Sequence, residues 1–550
     1  MRIFLFVIKL SLFPLICFSQ INSESINGSF STNMQSYNDD ASIGAVAADE
    51  IILNNAFLNV IYNKDNFSAG IRYESYLNAL LGYDSEYKGN GIPYRFVRYT
   101  INGLDITAGN YYEQFGSGIV FRTYEDKGLG VDNAMDGIRL KYMPISGLYL
   151  KSFIGKSRTY FEYSDGIIRG LDAEIMLNEA FQIEDDGSYV IGLNIVSRFQ
   201  QDNNPKFILP ENVANMSGRI NIMKSGFNYF GEYAYKINDP IGSFSIDGNN
   251  YAPGRALVNN LSYSQRGFGI NFESHWIDNM EFRSERAKEK EFIINYIPTL
   301  SKQHSYTLLS LYPCATQSDG EFGFQTDIFY KFKKGSKLGG KYGTKINFNF
   351  SKINGIQGGT SFLNDSSETI SPLLSFDNEK LYFSDFNIEI NKKINKTLSM
   401  NFVLSKQKYN KDILEGKTIG EYGIINSIIG VADIRYKVKK GHTIRFELQE
   451  LIEKEDENAL YHADGDWRMF LAEYTISPNW FFSIQDMYNW GNHYEDQRLH
   501  YINTSIGYIQ GANRFEIGYG KKRAGIFCVG GVCREVPSSN GFSLNISSSF

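Results

Sequence analysis

The chain of 550 residues carries 61 acidic and 55 basic side chains, a formal charge of -6, and the two signs are scattered rather than blocked, which argues against a nucleic-acid partner. Aromatic residues are 15% of the chain, with 37 tyrosines and 41 phenylalanines against only 12 prolines; β-rich chains favour aromatics and keep proline out of paired strands. Past the first residues no apolar run approaches the ~20 residues of a membrane helix, so any membrane span must be a strand.

Residues 1–19 read as a cleaved signal peptide: Arg2 supplies the charge, Lys9 separates two apolar stretches, Ile3–Ile8 and Leu10–Phe18, and Ser19 and Gln20 suit cleavage. Leu15 and Ile16 before Cys17 are not the small residues a lipoprotein anchor needs. The mature chain is expected to begin near Gln20, and removal of Arg2 and Lys9 takes the charge from -6 to about -8. Residues 20–550 are expected to form a single transmembrane β-barrel.

Dyad alternation starts near Ile26 and runs to the end. Phe227, Tyr229, Gly231, Tyr233 and Tyr235 face away from Asn228, Glu232 and Lys236; Phe268, Ile270, Phe272 and Trp276 oppose Asn271, Glu273 and His275. Tyr342, Thr344, Ile346, Phe348 and Phe350 oppose Lys341, Lys345, Asn347 and Asn349, and Leu398, Met400, Phe402 and Leu404 oppose Ser399, Asn401, Ser405 and Gln407. A wet lumen and a lipid exterior require this two-faced strand. Short polar links such as Asn63–Asn66, Lys224–Gly226, Lys439–Gly441 and Gln510–Asn513 are expected to alternate strictly with long ones such as Tyr37–Asp49, Ile237–Gly254, Ile353–Phe376 and Lys521–Pro537. Hairpins of roughly 40 residues give about 26 antiparallel strands, in a range of about 22 to 26, with short periplasmic turns and long extracellular loops.

One segment breaks the rhythm: Tyr111-Tyr112-Glu113-Gln114-Phe115-Gly116-Ser117-Gly118, followed by Arg122, Tyr124, Glu125, Asp126, Lys127, Asp132 and Asp136. A barrel of this size encloses more space than its own side chains fill. Residues 111–136 are therefore the candidate inward-folded constriction or plug, with Tyr112, Glu113, Gln114, Phe115, Arg122, Glu125 and Asp126 as its site residues; the alternative is an extracellular loop.

Sites for chemistry are weak. His462, Asp464 and Asp466 and then His493, Glu495 and Asp496 could meet a cation at the surface, and His275 beside Glu273 could act as a base, but solvated loops and a polar lumen account for both. Neither a Gly-x-Ser-x-Gly elbow nor a recognisable metal-ligand spacing occurs. No enzyme, metal or cofactor is expected. Lys341, Lys345, Asp327 and Lys331 are lumen charges of both signs, which leaves ion preference open. Cys528-Val-Gly-Gly-Val-Cys533 has the glycines a local disulfide needs.

The last strand alternates Phe542, Leu544 and Ile546 with Ser543, Asn545 and Ser547 and ends on Phe550. Here the chain resembles outer-membrane barrels generally, whose terminal aromatic strand is read by the barrel-assembly machinery. The segment 111–118, with the export region ending Phe18-Ser19-Gln20, further resembles an uncharacterised family of Bacteroidota outer-membrane β-barrels. The resemblance implies a fold and residence in the outer membrane of a Gram-negative bacterium; it implies no activity. The partners expected are the lipid bilayer, the assembly machinery and other outer-membrane or surface lipoprotein subunits. The leading functional expectation is a channel or gated transporter for an unknown solute. The alternative is a non-transporting accessory subunit for protein export, barrel assembly or polysaccharide handling. Active import is disfavoured because strands begin too early to leave room for a globular N-terminal plug domain.

Overall fold

The structure is a computed structural model that describes residues 24–203, 208–237, 239, 253–286, 292–357, 372–530 and 532–550. The expected signal peptide, and parts of the links 237–254 and 353–376, lie outside the described residues. Long strands from Glu24–Asn38 to Ser539–Ser549 each pair antiparallel with the next long strand in the chain. The first also pairs with the last, Ser29 opposite Ser549 and Asn38 opposite Asn540. The result is one closed sheet of 24 strands, which leaves no unpaired edge. At the seam Gly28 N donates to Phe550 O at 2.8 Å and Phe550 N donates back to Gly28 O at 2.9 Å. The Phe550 ring occupies the space a Gly28 side chain would need, so the terminal aromatic completes the wall by packing over a residue without Cβ.

Alternation sorts each strand between two environments. In Ser188–Phe199 the side chains of Val190, Asn194, Val196 and Arg198 are buried while Ile191, Leu193 and Ile195 are exposed, Leu193 by 65%. In Phe227–Lys236 the outward residues are Phe227, Tyr229, Tyr233 and Tyr235, and Glu232, Ala234 and Lys236 are buried inside. Large apolar groups on the outside and charges within invert a soluble protein, and lipid is the solvent in which that pattern is stable. No helix among the described residues is long and apolar enough to cross a membrane.

The strand number, 24, lies within the expected range of 22 to 26, and the described residues of 279–319 hold no spanning strand. Two expectations need correction. The strand expected from Lys341 starts at Thr344; Lys341 and Tyr342 belong to the turn before it. The strict alternation of link lengths also fails. On the edge that holds both chain ends most links are tight, at 65–66, 102–103, 225–226, 440–441 and 511–512, but 177–187 and 333–343 are longer. The opposite edge carries 39–52, 77–88, 112–134 and 279–319, yet also the two-residue link 160–161, where Tyr160 takes a positive φ of 53° to reverse the chain.

The wall packs against material inside the barrel. One buried apolar cluster joins Phe115, Ile119, Val120 and Phe121 to inward residues from Phe153 round to Ile277. Another joins Leu308, Leu309, Leu311 and Tyr312 to inward residues from Ile353 round to Met487. Both loop segments enter from the edge opposite the chain ends.

Candidate functional site: two segments in the lumen

Residues 112–134 fold into two small hairpins, Gln114–Phe115 with Phe121–Arg122 and Glu125–Asp126 with Val131–Asp132. The tight turn of the first uses Gly116 at φ 51° and Gly118 at φ 98°, conformations that suit glycine. Gly116 lies so close to the Glu232 carboxylate that a Cβ has no room. That carboxylate accepts from Ser117 N at 2.8 Å and from the Ser217 hydroxyl, which clamps the turn to the wall.

The expected site residues divide by role. Phe115 is fully buried against Phe121 and Phe153. Glu113 faces three wall cations, Lys141 at 2.8 Å and Arg139 and Lys151 at 3.6 Å, while its backbone N–H donates to Thr123 Oγ1 at 3.0 Å. Tyr112 stacks on Tyr94 and donates to Asp132 Oδ1 at 3.0 Å; burial pushes its phenol well above the ordinary value. Glu125 lies 3.1 Å from Arg72, and burial raises its carboxyl although Arg72 opposes the rise. Arg122 leaves the wall altogether and stacks over Tyr296 at 3.9 Å and Tyr124 at 4.9 Å. Gln114 is exposed and donates to Gly116 O at 3.0 Å. Asp126 accepts from Leu129 N at 2.9 Å, holding its own turn. Asp136, at the end of the expected segment, sits in Met135–Ile145 and pairs outside the barrel with Arg95.

Wall residues that sequence reasoning passed over supply the other half of the grip. Arg72 contacts Asp132, Glu125 and Glu74, and Arg158 contacts Asp132 and Glu74. Both arginines and Glu74 are almost fully buried, so each charge depends on its partners rather than on water.

The second segment, 279–319, was not anticipated. It binds the first through main-chain and amide groups: Arg122 N to Ile294 O at 2.8 Å, Tyr296 N to Gly118 O at 2.9 Å, Asn133 Nδ2 to Ile293 O at 2.8 Å and Asn295 Nδ2 to Ile119 O at 3.0 Å. It reaches the wall through Leu308 N to Gln449 Oε1 at 2.8 Å, Gln407 Nε2 to Leu309 O at 3.1 Å and His304 Nε2 with Asp385 at 2.7 Å. Cys314 is buried here as a free thiol, and burial pushes its ionisation up. The available signal was the lack of any period-2 pattern over 281–319, with Pro298 and Pro313 inside it.

Cys528 and Cys533 form the expected disulfide, closing the hairpin of Gly525–Val529 with Val532–Val536. Arg534 of that hairpin donates to Gly128 O at 2.9 Å and lies over the Tyr83 ring, so the hairpin rests on the tip of the first segment. The other candidates hold structure. His275 Nε2 lies 2.6 Å from Glu321 on the neighbouring strand, and Glu273 accepts from Asn260 and Asn271. His462 stacks on His493 at 3.6 Å, and Asp466 accepts from Glu453 N at 2.8 Å. Among the described residues no three His, Cys, Asp or Glu side chains gather as metal ligands.

Residues 1–550 match a family of unknown function, DUF6029. The chain belongs to that family. No curated protein matches it. Among solved structures it is similar to the translocation pore of the P pilus usher PapC, at 9% identity and TM-score 0.46 over 96% of this chain and 99% of that one. It is also similar to the ferric enterobactin receptor PfeA from Pseudomonas aeruginosa, at 10% identity and TM-score 0.43 over 97% and 81%. A third similar structure is the outer membrane protein OpdK from Pseudomonas aeruginosa, at 8% identity and TM-score 0.37 over 79% and 98%.

Proposed function

We propose that this protein is a gated channel of the Gram-negative outer membrane, closed at rest by residues 112–134 and by the described residues of 279–319, and opened when 112–134 leaves its seat. The observation that carries the reading is the set of hydrogen bonds joining the two segments across the lumen, Arg122 N to Ile294 O and Tyr296 N to Gly118 O. Loops that merely covered the mouth would have no reason to fill inward pockets with Phe115, Val120, Leu308 and Leu309. Placement in a membrane is supported by the exposed apolar belt, and long loops outside with both chain ends in the periplasm follow the rule for bacterial barrels. A barrel of this strand number needs an interior filling to preserve the permeability barrier. The charged latch on Arg72 and Arg158 is the part an arriving solute can displace, because an ionic ligand can substitute for Asp132 or Glu125.

Planar-bilayer recording tests this. The intact chain is expected to show low conductance, and deletion of residues 116–130 is expected to open a wide, steady pore in a barrel whose heat-modifiable mobility shows it folded. Unchanged conductance in that folded variant overturns the channel.

A further inference from the structure

The search for function outside the lumen leads to the exterior wall at the long-loop edge. Register places Lys352 opposite Ser384, Ser384 opposite Lys408, Lys408 opposite Asn426 and Asn426 opposite Lys454. Directly paired residues share a face, so these side chains form one outward row across five strands. Lys406 lies two residues below Lys408 on the same face. Strand spacing sets the three lysine columns about 10 Å apart, and Lys406 about 7 Å below the row.

Two other outward cations near this edge are paired with carboxylates on the wall, Arg95 with Asp136 at 3.1 Å and Arg468 with Glu450 at 2.6 Å. Lys352, Lys406 and Lys408 have no carboxylate partner among the described residues, and Lys454 meets only the exposed Glu457 at 3.3 Å. The neighbouring acids are engaged locally, Glu455 with His462 and Asp456 with Asn458 N. A hollow of about 630 Å³ is lined by Lys406, Lys408, Asn426, Ile452 and Lys454 on the wall, and by Glu453, Glu455, Asp456 and Glu457 at its loop side. Below it, on the same strands, an apolar groove of about 650 Å³ is lined by Ile388, Phe402, Leu404, Gly430, Ala432 and Leu448. Gly430 and Ala432 between larger neighbours make the depression.

We propose that this row and groove bind a phosphorylated, acylated glycolipid of the outer leaflet, a bis-phosphorylated disaccharide of the lipid A class. The phosphates sit on the lysines, Ser384 and Asn426 meet sugar hydroxyls, and acyl chains lie in the groove. Width decides between lipids. A single phosphodiester headgroup reaches one lysine column, whereas a disaccharide with a phosphate at each end reaches two. The assignment to that leaflet rests on the membrane placement proposed above and not on channel activity.

The full chain in detergent is titrated with bis-phosphorylated lipid A, its dephosphorylated form and phosphatidylglycerol, and read by native mass spectrometry. Lipid A is expected to bind saturably and at least tenfold more tightly than either alternative. The variant Lys352→Gln, Lys406→Gln, Lys408→Gln, Lys454→Gln is expected to lose at least tenfold, while Lys437→Gln with Lys439→Gln at the other edge changes nothing. Undiminished binding by the folded quadruple variant, or equal binding of phosphatidylglycerol, overturns the site; if the quadruple variant fails to fold, Lys406→Gln with Lys408→Gln is held to the same criterion. Orientation is read separately with Asn458→Cys and an impermeant maleimide on intact cells. Labelling is expected without permeabilisation; labelling only after it overturns the leaflet assignment and leaves the detergent binding result standing on its own.

Discussion

Between Tyr112 and Asp132 the lumen filling has two grips: an apolar one through Phe115, Ile119, Val120 and Phe121, and a charged one in which three carboxylates, Glu74, Asp132 and Glu125, surround Arg72 and Arg158. Between Tyr306 and Cys314 it is gripped mainly by apolar contact, with Leu308, Leu309 and Leu311 set among Ile425, Leu451, Trp467 and Met469. Apolar packing is non-directional and has no alternative partner in water, whereas a buried ion pair can exchange one partner for another of the same sign. In the proposed channel the charged grip of 112–132 is the one that exchanges partners, and 306–314 is the fixed lining.

The sharpest way to break this contrast is Arg72→Gln. It leaves Glu74, Asp132 and Glu125 facing Arg158 alone, and stranding a buried charge costs about 3–5 kcal/mol. Residues 112–132 are expected to become protease-sensitive and the conductance to rise, with the strands intact; a variant as protected as the parent ends the claim that charge seats this segment. Leu309→Ala should cost about 2–5 kcal/mol through the cavity it leaves. Faster hydrogen exchange is expected over 306–314 but not over 112–132, and equal loosening of both segments would merge them into one unit. The smallest expected effect is pH-dependent. Burial holds the Glu125 carboxyl above the ordinary glutamate value of 4.5, so in the window just above that value the seated segment binds more proton than the free one. Its contribution to seating is present below the ordinary value and lost as pH rises through the raised one. Exchange protection of 125–132 should fall across that window, and Glu125→Gln should flatten the slope; a slope that survives the substitution belongs to another group.

Much of the wall was legible because period-2 alternation is local: Leu398 to Gln407 declares two faces whatever the rest of the chain does. The same locality misled at Lys341, where residues with the right period lie in a turn, and it was silent over 281–319, where no period-2 pattern runs. In the lumen, Phe115 and Glu113 were identified by the break in rhythm around them. Arg72, Glu74 and Arg158 were not, since an inward charge on a strand looks the same whether it meets water or a carboxylate.

The amino-acid sequence by itself determined that this chain is a large antiparallel barrel with one wet and one apolar face, and that a segment lying within 111–136 departs from it. Only the tertiary structure decided the number of strands, the second lumen segment and the outward row from Lys352 to Lys454. Alternation depends on neighbours two residues apart, so one strand suffices to show it. Closure, filling and the lysine row depend on contacts between residues far apart in the chain, Ser29 with Ser549 at the seam, Asn295 with Ile119 in the lumen and Lys352 to Lys454 along the row, which are set by the whole ring of hydrogen bonds.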